Sequence, residues 1–290
     1  LTDSQMDNLP AKPSPLTFFL LVYGLSIPLW ILGTRIDIKG PLSFPITDML
    51  AAFTPLIAAS LLVYKEDGRI GIKKLFRRIF DTDRITKKVW YVPIIFLPFL
   101  LYLFIYLTIY VAGLPLPTSF HISFGSIPGL LGLFFLGAVV EETGYMGYAI
   151  EPMQKRLGAL WASILMGILW AVWHYPSILQ QGHNWTWVGW GTLGTVAVRV
   201  LIVWLYYNTQ KSLFACILFH TILNIGRPLF PADLTHNPLV DYPAIHYSVL
   251  AIVAILIVFL WGSKTLTRYR YHAKPHTINQ LVVTNDGHGK

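Results

Sequence analysis

The sequence is short of two things that water-soluble domains use freely. Charged residues make up 12% of its 290 positions, about half the share found in soluble domains. Cysteine occurs once, at Cys216, so neither an internal disulfide nor a multi-thiolate zinc site can form. These scarcities exclude a disordered chain, a solvated coiled coil and a disulfide-stapled secreted module. There is also no internal repeat at any period. What the chain has instead is apolar residues, 54% of the total, gathered into long runs with the charges crowded between them. It reads as a polytopic membrane protein.

A helix that crosses a bilayer needs about 20 predominantly apolar residues. Eight segments qualify, at about 16–33, 46–64, 89–113, 129–150, 157–179, 189–207, 212–230 and 244–261. The expected fold is therefore all-α, a membrane helical bundle of about eight spans. The membrane domain covers 16–263, with a short N-terminal segment (1–15) before it and a polar, disordered tail (264–290) after it. Lysine and arginine set the orientation. Of 22 such residues, all but Arg35, Lys39, Arg199 and Arg227 fall on the face shared by both termini. That face is expected to be cytoplasmic, in the plasma membrane if the host is a prokaryote.

The net charge of +8 is accounted for by this topology and by lipid contact, without a nucleic-acid partner. Segment 70–80, IGIKKLFRRIF, contributes much of it. Helical spacing places Ile72, Leu75, Phe76, Ile79 and Phe80 on one face and Lys73, Lys74, Arg77 and Arg78 on the other, the pattern of a helix lying in the headgroup layer. Trp185, Trp187 and Trp190 suggest an interfacial belt on the opposite side. Asn184-Trp185-Thr186 forms a formal glycosylation sequon there.

Ionisable side chains within a span are costly and are functional candidates by default. Asp48 sits at the mouth of a span and reads as structural; Arg227 lies near a span end, where long basic side chains snorkel. The deep set is Glu141, Glu142, His174, Arg199 and His220, joined by Asn224 one helical turn after His220. Neighbouring glutamates differ by about 100° around a helix, so one can face a site while the other supports packing. From the turn near 157, Glu141 and His174 are both about 24 Å along their helices, and His220 and Asn224 about 13–20 Å along theirs. These depths are compatible with one mid-membrane cluster. A desolvated glutamate can act as general base on water and then as acid toward a leaving amine. Two histidines with a carboxylate could hold a divalent metal such as zinc; alternatively, a histidine and Asn224 could donate to an oxyanion.

At these residues the sequence resembles the CPBP family of intramembrane proteases, which includes the type II CAAX prenyl endopeptidases and Abi-like proteins. The family motif Glu-Glu-x-x-x-Arg-Gly reads EETGYMGY from Glu141 to Tyr148, an aromatic-then-histidine motif reads LWAVWHYP with His174, and His-x-x-x-Asn reads FHTILN with His220 and Asn224. The resemblance implies that Glu141 activates water together with His174. It implies that His220 and Asn224 stabilise the oxyanion, or that His174, His220 and Glu141 bind a metal. The family arginine is replaced by Met146. Arg199 is expected to take over its part, pairing with Glu142 across helices in a supporting role. The implied function is an intramembrane endopeptidase with a membrane-embedded or lipidated protein substrate, entered from the cytoplasmic side. Two alternatives stand beside it: a non-catalytic immunity or scaffold protein of the same fold, and a proton-coupled carrier.

Overall fold

The computed structural model describes residues 14–36, 38–117, 124–233 and 236–267, and no strand occurs among them. Helix α1 (Pro15–Gly33) is started by Ser14, whose hydroxyl accepts the Thr17 N–H, and by Pro15 in its first turn, where a missing N–H is no loss. The short α2 (Ile46–Ala51) leads into α3 (Thr54–Arg77), and α4 spans Tyr91–Val111. Helix α5 (Ile127–Gly144) passes through a π-helical turn (Tyr145–Ala149) into α6 (Ile150–Leu157). The remainder are α7 (Ala159–Gln180), α8 (Trp185–Asn208), α9 (Leu213–Leu229), the one-turn α10 (Pro238–Asp241) and α11 (Pro243–Trp261).

Among the described residues, seven helical stretches are long and apolar enough to cross a membrane. The eighth apolar segment, α9, has 17 residues, about 26 Å at 1.5 Å per residue, just short of a bilayer core of about 30 Å. The chain is an integral membrane protein built as a helical bundle. At its centre is α8, with 67% of its most apolar stretch buried against 28–39% in the other six. The run Val200-Leu201-Ile202-Val203-Trp204-Leu205-Tyr206 explains this, being apolar on every face, the mark of a fully enclosed helix. Around it pack α7, α9 and α11, while α9 also contacts α4 and α5, and α5 contacts α3.

Three features go beyond the sequence reading. Segment 70–80 is an amphipathic stretch that packs its apolar side partly into the bundle. It continues α3 beyond a break at Gly68, whose φ of 60° and ψ of −152° suit glycine alone. Leu75 and Ile79 are buried in the bundle, while Phe76 and Phe80 remain exposed. Arg78, assigned to the polar face, points inward and donates to Gly147 O, the Tyr206 hydroxyl and Lys211 O. Second, the first residues of the expected disordered tail are packed: Leu266 is buried, and Ser263 O and Lys264 O accept the N–H groups of Leu160 and Ala159. Those donors open α7, where no intrahelical partner exists, so the segment just after α11 acts as a cap. Residues 1–13 and 268–290 lie outside the described residues. Third, Asn184 is a helix cap, its side chain accepting from Trp187 N. Of the tryptophan belt, Trp185 is exposed and Trp187 packs on His183 and Tyr247.

Glycine sets the closest helix approach. A Cβ on Gly144 would lie 2.6 Å from Pro55 O and 2.7 Å from its carbonyl carbon, so α5 meets the start of α3 backbone to side. We predict that Gly144→Ala lowers stability by about 1–3 kcal/mol, the usual cost of overpacking, read as a lowered thermal unfolding midpoint in detergent. An unchanged midpoint would contradict this packing.

Candidate active site

Glu142 lies at the polar centre of the bundle and is wholly closed off from solvent. Its Oε2 accepts from Arg199 Nη1 at 2.7 Å, and its Oε1 is 2.8 Å from His220 Nδ1. Three helices meet at this one carboxylate: α5 supplies Glu142, α8 supplies Arg199 and α9 supplies His220. A carboxylate buried without partners would cost several kcal/mol. Here both oxygens are engaged, and the cation sits where the sequence argument placed it. With an ionised Glu142 as acceptor, His220 donates through Nδ1.

Arg199 is itself wholly buried. Its guanidinium carbon lies 4.2 Å from the Trp170 ring centre and 5.0 Å from that of Tyr145. Nε and Nη2 make no hydrogen bond among the described residues, but the two aromatic faces cover the cation, an arrangement worth about 2 kcal/mol when desolvated. Gly167 of α7 makes room for this, since a Cβ there would fall 2.8 Å from Val196 Cα and 3.3 Å from Arg199 Cβ. Met146, where the motif arginine was expected, is fully buried in the π-helical turn.

Glu141 differs from its neighbour in both exposure and partners. It keeps 9% exposure, whereas Glu142 has none, and its Oε2 accepts a single hydrogen bond, from Trp170 Nε1 at 2.7 Å. The Trp170 ring also stands edge-on to His220 at 5.4 Å and lies 5.5 Å from the His174 ring. One indole thus touches Glu141, His174, Arg199 and His220. Its position four residues before His174 was visible as part of a motif. Its partner is 29 residues away on another helix, and no sequence signal gives that contact.

His174 is half-buried and packs edge-on to Trp173 at 4.7 Å. Trp173 is held in turn by Ser26, whose hydroxyl accepts its indole N–H and also pairs with Thr54. Asn224 is half-buried one turn beyond His220, and neither it nor His174 makes a side-chain hydrogen bond among the described residues. Asp48 lies apart from the site, accepting from Ser177, and Arg227 is exposed. The metal alternative finds no matching geometry. Among the described residues, no three histidine, cysteine or acidic side chains gather to hold an ion. His174, His220 and Glu141 do not come together as a three-ligand set as placed.

The geometry gives a direct expectation for His220. Its replacement by phenylalanine keeps an aromatic ring beside Trp170 but removes the donor to Glu142 Oε1. We predict a stability loss of about 1–3 kcal/mol, the cost of leaving a buried acceptor unsatisfied, measured by thermal unfolding in bicelles. No loss would mean that His220 does not hold the carboxylate.

Comparison with known proteins finds two similarities. Residues 123–226 match the family model described as type II CAAX prenyl endopeptidase Rce1-like. That span contains Glu141, Glu142, His174, Arg199, His220 and Asn224. A CAAX prenyl protease 2 from Methanococcus maripaludis is 27% identical over 263 residues, covering 85% of this chain and 94% of the relative. The chain is therefore similar to the type II CAAX prenyl endopeptidases over residues 123–226, and to a CAAX prenyl protease over most of its length.

Proposed function

We propose that the chain hydrolyses a peptide bond within the membrane by glutamate-activated water, with Glu141 as the base. The observation that carries this reading is the division between adjacent carboxylates. Both oxygens of Glu142 are engaged by Arg199 and His220. Glu141 has one oxygen held by Trp170 and retains exposure, as a group that must meet water requires. In the first step Glu141 takes a proton from water while the water oxygen bonds to the scissile carbonyl carbon. The oxyanion that forms is stabilised by the Asn224 amide and by His220 when its Nε2 carries a proton. Collapse breaks the C–N bond, and Glu141 returns its proton to the leaving amine. His174, half-buried beside Trp170, helps to orient the water.

The proposed substrate is a membrane-embedded or lipidated protein cut near its C-terminus, in keeping with the prenyl protease named above. With both termini cytoplasmic, as the basic residues suggest, the substrate enters from the cytoplasmic side. The test is cleavage of prenylated and plain peptides by purified protein in bicelles. Glu141→Gln should lower turnover by about 10²–10⁴-fold, the usual contribution of a general base, with the thermal midpoint unchanged. An equally active Glu141→Gln variant would remove Glu141 from the mechanism. A folded wild type silent on the whole panel would favour the scaffold alternative.

A further inference from the structure

We infer that Trp170 is a positioning residue for Glu141, aiming the catalytic carboxylate through a hydrogen bond from its indole nitrogen. This rests on the reading of Glu141 as the base. The geometry is specific to an indole. Trp170 is buried at 6% exposure, and its Nε1–H donates to Glu141 Oε2 at 2.7 Å. A carboxylate on a helix has rotamer freedom that a single donor from a neighbouring helix can remove. With Oε2 committed to Trp170, the other oxygen is the one presented to water.

The ring that makes this bond is itself fixed on several sides. The Arg199 guanidinium lies over its face at 4.2 Å. His220 stands edge-on at 5.4 Å and Tyr145 lies 6.2 Å away. The same guanidinium holds Glu142, so a single cation anchors one glutamate directly and the other through the indole it covers. Phenylalanine at position 170 would preserve the ring contacts and the covered face but could not donate. That substitution therefore separates the hydrogen bond from the packing.

Two substitutions at position 170 test it: Trp170→Phe, and incorporation of 3-benzothienylalanine, which keeps the bicyclic shape and replaces N–H by sulfur. For both, kcat should fall about 10- to 100-fold, the effect of losing a hydrogen bond to a charged group. KM should stay within roughly twofold, because the bond serves the chemical step and not substrate binding. A merely structural role would instead spare the isosteric benzothienyl variant.

A second readout needs no turnover. Among the indole ¹⁵N–¹H resonances of the ten tryptophans, the one lost in Trp170→Phe should move upfield in Glu141→Gln, since a carboxamide is a weaker acceptor than a carboxylate. An unmoved resonance would overturn the hydrogen bond. A moved resonance with undiminished kcat in the benzothienyl variant would overturn the positioning role. Absence of wild-type turnover on every peptide would overturn the protease reading and the positioning role with it, while the indole shift would still report the contact.

Discussion

The bundle depends on keeping one charge tolerable in its interior. Glu142 and Arg199 are both fully buried, and either alone would be an uncompensated charge costing several kcal/mol. Their 2.7 Å contact, with His220 on the remaining carboxylate oxygen, ties α5, α8 and α9 at one point. Replacing such a pair by apolar side chains is often neutral for stability, so its retention calls for another reason. The reason offered by the structure is location. The pair fixes the helix that carries Glu141, the indole that Glu141 touches and the imidazole that faces the same space.

The rest of the fold supplies the frame for that point. Tight approach at Gly144 and Gly167 brings α3 against α5 and α7 against α8, closely enough for side chains to meet across helices. A π-helical turn follows directly after the glutamates; such turns change the helical phase and recur near functional sites. At the end that the basic residues mark as cytoplasmic, Asp81 accepts from the Ser212 hydroxyl and from the N–H groups of Leu213 and Phe214. This satisfies donors at the start of α9, the helix bearing His220 and Asn224. The left-handed residues Gln210 and Lys211 are strained, and that turn is held by Lys211 to Glu151 at 2.7 Å and by Arg78 on the Lys211 carbonyl.

Much of this was legible in the sequence, for physical reasons that can be named. Apolar runs fixed the helical bundle, because a backbone in lipid must satisfy its own hydrogen bonds. The Arg199–Glu142 pair could be anticipated because a buried cation without a partner and a glutamate beside Met146 each demanded one. What could not be read was anything set by helix rotation or by a change of phase. Periodicity placed Arg78 on an outer face, but the α-helix ends at Arg77 and tightens into a 3-10 turn, where Arg78 points inward onto Gly147 and Tyr206. The contact from Trp170 to Glu141 depends on the relative rotation of α5 and α7, which no local pattern encodes. The capping of α7 by Ser263 and Lys264 was hidden because a polar stretch after the last span reads as tail.

Glu142 and Arg199 act as one buried unit on which the site is built. A double-mutant cycle tests it most directly, using Glu142→Gln, Arg199→Met and the double variant, with unfolding free energies measured in the same bicelles. Each single substitution should be costly, Arg199→Met by about 3–5 kcal/mol because it strands a buried carboxylate. The double variant should recover part of that loss, giving a coupling of about 2–3 kcal/mol. Effects that add to within about 0.5 kcal/mol, as for independent sites, would contradict the account.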